Sequence, residues 1–387
     1  MDFSFTEEQT LLRNSVQRFV QERYEFDTRQ AIVASDAGWR KDYWAQFADL
    51  GLLAASFPEE LGGFGGTPVE TMILMEEFGR GLVVEPFLPT VVLGGAALRH
   101  GGTSAQKEEL IPEIIAGNLV LAFAYAEPQG RYNLADLKTT ARKSRTGFVL
   151  NGQKSVVLGA PWADKLLVSA RTAGGQRDAL GVTLFLLDKN APGVSTRDYP
   201  TVDGSRASEV TFENVEVPSE MVIGTIDRGL PLIERIVDEG IAAIAAEAVG
   251  CMKMLTDTTV AYSKQRKQFG VAIGKFQVLQ HRMVDMYMNY EQSVSMMYMV
   301  TLKLSEDETE RKRAASATKV HIGKAGRFVG QEAVQIHGGM GVTNELNVGH
   351  YFKRLTTIET QFGNMDYHMR RFTALSGNDR AVATVAA

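Results

Sequence analysis

The chain has 387 residues, of which 44% are hydrophobic and 22% charged, and its formal net charge is −5. These values predict a globular protein of about two or three structural units and exclude the basic footprint of a nucleic-acid-binding protein. The single cysteine, Cys251, excludes an intrachain disulfide framework and is expected to be a buried apolar residue. The acidic N-terminus does not resemble a signal peptide, and no apolar run is long enough to span a membrane. We therefore expect a cytoplasmic protein.

The first part of the chain has a helical pattern. Thr6 and Gln9 have the spacing of a capping box, and apolar residues follow at helical spacing as far as Val20. Further amphipathic runs cover residues 41–50, 68–80, 90–101 and 104–116. The glycine-rich loop at 57–66 lacks the Gly-Lys-Ser/Thr of a phosphate-binding P-loop. We assign an N-terminal helical domain to residues 1–118.

The apolar pattern changes at about residue 119 to short strand-like runs. They are separated by turn residues such as Asn151-Gly152 and Pro192-Gly193, and the first pair predicts a hairpin. The runs cover residues 119–125, 148–150, 155–158, 166–170, 182–187 and 208–212. Regular short strands without intervening helices predict an antiparallel β-barrel or sandwich. We assign this central β domain to residues 119–225.

From about residue 229 the pattern is helical again. Long apolar-faced runs cover residues 229–264, 275–305, 314–337 and 345–361, and residues 306–313 are interpreted as a charged link. Such runs with short links predict a four-helix bundle, which we assign to residues 226–387. The predicted fold class is therefore α+β, with helical, β and helical domains in that order.

Two glycine-terminated segments follow one another near the end of the bundle. The first runs from Gln335 to Gly341 and the second from Glu359 to Asn364. Glycine allows the backbone to approach a ligand closely, and oriented backbone amides suit an anion such as a pyrophosphate. The alternative is that the glycines only terminate helices. The residues by themselves leave both interpretations open.

Five motifs in chain order resemble those of the acyl-CoA dehydrogenase family, and the likeness covers nearly the whole chain. They are Phe57-Pro58-Glu59-Glu60-Leu61-Gly62-Gly63, Tyr125-Ala126-Glu127-Pro128, Asn151-Gly152-Gln153-Lys154, Arg266-Lys267-Gln268-Phe269-Gly270 and Gln335-Ile336-His337-Gly338-Gly339-Met340-Gly341. The resemblance implies an FAD enzyme of lipid metabolism that desaturates an acyl-CoA between its α and β carbons. A carboxylate would take the α proton while a hydride leaves to the flavin. It also implies a homo- or hetero-oligomer and an electron-transfer flavoprotein or similar acceptor.

The resemblance further implies an FAD site shared by two subunits. The residues implied for the ADP half are Arg266, Gln268, Phe269, Gln335, Gly338 and Gly339. Arg266 can pair with a pyrophosphate through its planar guanidinium, and the glycines permit close backbone approach. The alternative for Arg266 is a solvated charge at a helix end.

The half of the site implied for the flavin ring departs from the family pattern. It would involve Phe123, Tyr125 and Val156, but Val156 replaces an aromatic residue that covers the ring. Leu158 replaces a hydroxyl-bearing residue, and Ala126 replaces a threonine. We therefore expect this half to be weakened.

The position of the catalytic base also departs from the pattern. Phe362 stands where the family has the glutamate of a Y-E-G-T motif, and a phenyl ring cannot accept a proton. A second base position used in the family corresponds to Gly240. The neighbouring Glu239 is the first candidate for a replacement base, with a surface or capped charge as the alternative interpretation. Glu247 and Glu359 are the other carboxylates considered.

Several functions fit this pattern. In the first, the chain is a subunit without the usual glutamate that completes the FAD site of a homologous chain. It would then be similar to the small subunits of heteromeric acyl-CoA dehydrogenases of the pimeloyl-CoA or steroid side-chain type. In the second, it is a self-sufficient homo-oligomeric dehydrogenase with Glu239 as an unusual base. A flavin monooxygenase-like enzyme and a scaffold subunit are further alternatives, because fold does not fix reaction.

Overall fold

The computed structural model describes residues 4–376, which form two compact units. The helical unit comprises residues up to Ala31, Pro68–Val83 and the chain from Ile241 onward. The sheet unit comprises Ile32–Thr67 and Val84–Gly240. Among the described residues, no helix is both long enough and apolar enough to cross a membrane.

The helices follow the predicted runs closely. In chain order they are α1 (Glu7–Arg23), α2 (Phe26–Ala34), α3 (Lys41–Asp49), α4 (Pro68–Gly81), α5 (Gly95–Gly101), α6 (Ser104–Ile115), α7 (Leu230–Gln265), α8 (Gln277–Lys303), α9 (Glu308–His337), α10 (Val348–Thr360) and α11 (Met365–Leu375). Thr6 and Gln9 form the predicted capping box of α1. The predicted charged link at 306–313 is wrong, because Asp307 accepts hydrogen bonds from the first backbone N–H groups of α9 and so starts this helix at Glu308.

Close backbone contact joins α4 to α7 in the helical unit. A Cβ atom on Gly79 would lie 2.1 Å from the carbonyl oxygen of Glu247. A Cβ atom on Gly250 would lie 2.0 Å from the carbonyl oxygen of Glu76. Only glycine fits at these two positions, so they fix the approach of the helices. Cys251 beside this contact is fully buried, as predicted.

A buried ion pair joins α7 to α10. The Nε and Nη2 atoms of Arg354 each lie 2.6 Å from an oxygen of Glu247. Glu247 is only 5% exposed, so its charge depends on this bidentate pairing. Glu247 is thereby engaged in holding the fold.

The strands of the sheet unit form one mixed sheet. They are β1 (Leu121–Ala124), β2 (Thr140–Lys143), β3 (Gly147–Leu158), β4 (Lys165–Arg171), β5 (Val182–Asp188), β6 (Val194–Pro200), β7 (Arg206–Pro218) and β8 (Val222–Ile223). Their order is β6-β7-β3-β2-β4-β5-β8, with β1 also paired to β4. Both β1 and β2 run parallel to β4, so the prediction of a wholly antiparallel arrangement is wrong in this detail.

The predicted hairpin at Asn151-Gly152 is also wrong, since both residues lie inside the single long strand β3. The register with β7 shifts between Leu150 and Gly152, which marks a bulge. A Cβ atom on Gly152 would lie 2.5 Å from the Cα atom of Thr139. The glycine therefore permits close approach of a neighbouring segment, a role that has the same sequence signature as a turn.

We expect Arg354→Ala to destabilise the protein by about 3–5 kcal/mol, because it leaves the Glu247 carboxylate buried without its cation. The matched control is Lys253→Ala, which breaks the more exposed i,i+4 pair with Asp257 and the cation–π contact with Tyr290, and it should cost about 1 kcal/mol. Urea-unfolding midpoints of the two variants provide the measurement. Equal midpoints would contradict a structural role for the buried pair.

Candidate functional site

Residues Arg266–Val271, here called the hairpin segment, follow the C-terminus of α7. Strands β9 (Lys267–Gln268) and β10 (Val271–Ala272) pair across a two-residue turn. Phe269 (φ +52°) and Gly270 (φ +83°) are both left-handed, as a type I′ turn requires. A bulky residue at the first position is strained by about 1–3 kcal/mol. Phe269 is nevertheless 93% exposed, and its ring contact within this chain is an edge-to-face approach to Phe276 with the centroids 6.1 Å apart.

Residues Gln335–Gly341, here called the glycine segment, likewise lie at the C-terminal end of a long helix, α9. Gly338 has a φ of +61°, and a Cβ atom on Gly338 or Gly339 would meet no atom within 4 Å. Gln335 is exposed, like both glycines. The segment therefore presents open backbone that can be approached from outside the chain.

An aromatic stack joins the two segments. The rings of Tyr262 and His337 lie 4.3 Å apart at 27°, so the last turns of α7 and α9 are adjacent. His337 Nδ1 donates a hydrogen bond to Ala333 O at 2.8 Å, and burial lowers the pKa of His337. The ring is therefore held as a neutral stacking partner. Sequence reasoning missed Tyr262, although an aromatic residue one helical turn before Arg266 was the available signal.

The six residues predicted for the ADP half share one property in the structure. All of them are exposed: Arg266, Gln268, Phe269, Gln335, Gly338 and Gly339. Open glycine backbone, an exposed guanidinium and an exposed aromatic ring are the groups that bind a pyrophosphate and an adenosine. These residues fit the ADP portion of a dinucleotide.

The residues predicted for the ring half lie in the sheet unit. The Phe123 and Tyr125 rings are 5.0 Å apart, with Phe123 buried and Tyr125 half-buried. The Tyr125 carbonyl oxygen accepts from Lys154, whose Nζ also lies 2.7 Å from Glu127 Oε1. Burial lowers the pKa of Lys154 to about 8, against the opposing charge of Glu127. These motif residues therefore fix the loop after β1 through a buried ion pair.

Val156 has the most unusual backbone in this half. Its φ is +52°, and it lies where the β3–β7 register shifts between Lys154 and Val157. Left-handed geometry is a genuine outlier for a β-branched residue. The side chain is 55% exposed, so its packing does not offset the strain. Strain of this kind is typical of positions at which a ligand is bound.

Glu239 lies between two arginines and a histidine in the sheet unit. Its carboxylate oxygens lie 2.7 Å from Arg99 Nη2, 2.6 Å from His100 Nε2 and 2.9 Å from Arg235 Nε. Burial opposes its ionisation, but the His100 hydrogen bond and the charges of Arg99, His100 and Arg235 outweigh burial and lower the pKa of Glu239 to about 2. An efficient general base has a pKa near the working pH. The cluster is suited to joining α5 and α7.

The turn formed by residues 361–364 carries Phe362 at the position predicted for the base. The Phe362 side chain is 6% exposed and its φ is +60°. His368 Nε2 donates to Phe362 O at 3.0 Å. Lys319 Nζ donates to the carbonyl oxygens of Ile358, Glu359 and Gly363 at 2.7, 2.8 and 2.8 Å. The turn is thus firmly held but presents a phenyl ring in place of a proton acceptor.

Three family models match the chain: the N-terminal domain of acyl-CoA dehydrogenase over residues 6–118, the middle domain over 122–215 and the C-terminal domain over 227–374. The mitochondrial isovaleryl-CoA dehydrogenase of Oryza sativa subsp. japonica is 32% identical over 371 residues, which cover 94% of this chain and 89% of that protein. The Tcur3481-Tcur3483 steroid ACAD is 28% identical, with a TM-score of 0.86 over 97% of this chain and 99% of that one. The FAD complex of PigA is 25% identical, with a TM-score of 0.90 over 97% of this chain and 99% of that one.

We expect Val156→Gly to stabilise the protein by about 1 kcal/mol. Relief of about 1–3 kcal/mol of left-handed strain exceeds the entropic penalty of glycine, about 0.5–1 kcal/mol. Val149→Gly in the regular part of β3 is the control, and it should destabilise by about 1 kcal/mol. Thermal melts of both variants measure the difference. Equal destabilisation would show that Val156 is not strained.

Glu239 should make the free energy of unfolding depend on pH between about pH 4.5 and pH 2. Its pKa falls from 4.5 to about 2 on folding, so the stability it contributes is complete above about pH 4.5 and is lost as the pH falls toward 2. Between pH 6 and pH 3, Glu239→Gln should flatten the dependence of the urea midpoint on pH. The exposed control Glu108→Gln should leave the dependence as in the wild type. A wild-type slope in Glu239→Gln would contradict the ion-pair assignment.

Proposed function

The chain belongs to the acyl-CoA dehydrogenase family, and on that premise we propose that it is a subunit without the usual catalytic glutamate. It is an oxidoreductase of the class that acts on CH–CH bonds, and its cofactor is FAD. In this proposal it completes the FAD site of a homologous partner chain that carries the base. Its substrate is an acyl-CoA, and its electron acceptor is an electron-transfer flavoprotein or a similar carrier.

Phe362 is the observation that carries the proposal. The turn at 361–364 keeps the glycine of the family motif and is held by Lys319 and His368, yet the Phe362 side chain cannot take a proton. Removal of an α proton near neutral pH requires a positioned base whose pKa lies near the working pH. Glu239 does not meet this requirement, because Arg99, His100 and Arg235 hold its carboxylate with a pKa of about 2.

The exposed ADP-half residues support the second part of the proposal. Bound FAD supplies the redox chemistry by accepting a hydride, whereas this chain orients the dinucleotide. Arg266 would pair with the pyrophosphate, and the backbone at Gly338 and Gly339 would approach it closely. Phe269 would present its ring to the adenosine portion, which gives a reason for its strained and exposed position.

An apolar groove beside the hairpin segment supports docking of another chain. It lies between α7 and α8, has a volume of about 610 Å³, and is lined in part by Val260, Met283, Val284 and Tyr287. Val284 is 55% exposed and Tyr287 52% exposed. Exposed apolar surface of this kind is typical of a protein interface. A homologous chain fits the proposal best, because its ring half would supply what this chain's ring half lacks.

The self-sufficient homo-oligomeric dehydrogenase is the alternative that needs a different base. Its first candidate, Glu239, is engaged with Arg99, His100 and Arg235, and Glu247 is engaged with Arg354. The geometry of these carboxylates favours structural roles. We therefore retain the subunit proposal as the main one.

Co-expression with a homologous chain that retains the Y-E-G-T glutamate tests the proposal. We expect the complex to retain FAD and oxidise acyl-CoA, whereas this chain alone does not turn over. Arg266→Ala in this chain should weaken FAD binding by the complex about tenfold or more, because it removes a charged hydrogen-bond donor. The control Arg313→Ala changes an arginine of α9 that pairs with Glu310, and it should leave FAD binding unchanged. Stoichiometric FAD and acyl-CoA-dependent reduction of an acceptor by this chain alone would overturn the proposal.

A further inference from the structure

The helical unit contains a cavity of about 280 Å³ that the proposed function does not use. Residues of α1, α2, α4, α7 and α10 line it, among them Val20, Arg29, Arg80 and Tyr351. At the volume that a molecule occupies in liquid water, about 30 Å³, the cavity accommodates a ligand of about nine non-hydrogen atoms. It is therefore large enough for a small organic molecule.

The carbonyl oxygens that reach this cavity from the end of α4 already accept hydrogen bonds. Leu82 O accepts from Arg29 Nε at 3.1 Å. Arg80 O accepts from the Tyr351 hydroxyl group. These acceptors are therefore satisfied within the fold, and a ligand is not needed to donate to them.

Arg80 provides the cavity wall with a donor that has no acceptor. Its Nε atom is buried and makes no hydrogen bond within residues 4–376. Glu77 Oε1 lies 3.4 Å from it as an ion pair, and the Nη2 atom donates to Glu76 Oε1 at 2.7 Å. A buried N–H group without an acceptor destabilises a fold, and a ligand oxygen can satisfy it.

Arg29 adds a second guanidinium group to the same wall and is only 2% exposed. Its Nη1 atom lies 3.3 Å from Gln30 Oε1 and 3.4 Å from His350 Nδ1. Burial and the charge of Arg29 lower the pKa of His350, so the histidine is neutral beside the guanidinium. Two guanidinium groups on one wall favour an anionic acceptor, and the two oxygens of a carboxylate match the guanidinium fork.

The acidic residues of the wall do not cancel this preference. Glu77 lies 3.3 Å from Arg13 Nε and 3.4 Å from Arg80 Nε, so its charge is matched within the fold. Glu25 is exposed, and water and salt screen its charge. The cavity therefore retains a net attraction for a small anion.

The other part of the wall is apolar and includes Val20, Phe26, Leu82 and Met254. These side chains complement a short hydrocarbon body better than a second charged group. Leu82 is also a buried bulky residue with a φ of +52°. Backbone strain of this kind is typical of functional positions.

We propose that this cavity binds a small organic carboxylate. The charged end contacts Arg29 and Arg80, and a short hydrocarbon body lies against the apolar wall. The inference goes beyond the proposed function, because the site includes none of the residues assigned to FAD or to the base and needs no partner chain. A bound carboxylate stabilises the native state, since it occupies a site that exists only when the five helices are packed together.

Hexanoate, added to the full-length chain, is the probe that tests the inference. We expect isothermal titration calorimetry to detect its binding. Hexan-1-ol should bind at least about tenfold more weakly, because it lacks the charge. Inorganic phosphate should also bind at least about tenfold more weakly, because it lacks the hydrocarbon body.

Two variants place the bound probe in this cavity. Gln21→Trp enlarges an exposed residue of the wall and should weaken hexanoate binding about tenfold or more without lowering the melting temperature. Its matched control is Asn14→Trp, an exposed position about two turns earlier on the same face of α1, which should leave the affinity unchanged. Arg80→Lys keeps the charge beside Glu76 but removes the Nε–H donor, and it should weaken binding about tenfold.

Three results would overturn the inference. Equal affinities for hexanoate and inorganic phosphate would show that the cavity binds anions in general. Wild-type affinity for hexanoate in both Gln21→Trp and Arg80→Lys would place the probe at another site. Absence of hexanoate binding by the wild-type chain would remove the carboxylate site, and this result is independent of whether the chain completes the FAD site of a partner.

Discussion

The stack of Tyr262 on His337 brings the hairpin segment and the glycine segment to one surface of the helical unit. It holds the ends of α7 and α9 together at a ring separation of 4.3 Å. The hairpin and glycine segments leave those ends and carry exposed groups, among them the aromatic ring of Phe269. Without a fixed relation between the two helix ends, these groups could not act on one ligand. The proposed FAD contacts of this surface therefore depend on the stack, which fixes where the two segments lie.

The buried charges of this protein are engaged in holding its backbone. Glu247 pairs with Arg354, and Lys154 pairs with Glu127. Lys319 donates to carbonyl oxygens at the end of α10, and burial lowers the pKa of its side chain to about 7. Each of these groups would be costly to bury without its partners. A titratable residue in a family-like position is consequently a poor guide to catalysis until its partners are known.

Three of the non-glycine residues with positive φ lie where the sequence resemblance places ligand contacts, whereas others, such as Leu82 and Arg131, lie elsewhere. Val156, Phe269 and Phe362 are all bulky residues with positive φ. Two of them are largely exposed, whereas Phe362 is buried, so burial does not account for the set. At Val156 and Phe362 the side chain also differs from the family pattern, whereas Phe269 belongs to a motif that resembles it. Such strain is typical of functional positions, where surrounding structure over-determines the local conformation.

The sequence by itself determined the order of helical and strand segments, since apolar periodicity and capping are local properties. It also contains the motifs on which the proposed ADP contacts depend, and it predicts Phe362 at the position where the family has a glutamate. Only the tertiary structure decided that Asn151-Gly152 lies within a strand, because a bulge and a turn use the same residues. It likewise decided that Glu239 is an ion-pair centre and that the Gln361 carboxamide has no hydrogen-bond partner among residues 4–376. Burial, pairing and pKa depend on side chains distant in the chain, and no local pattern records them.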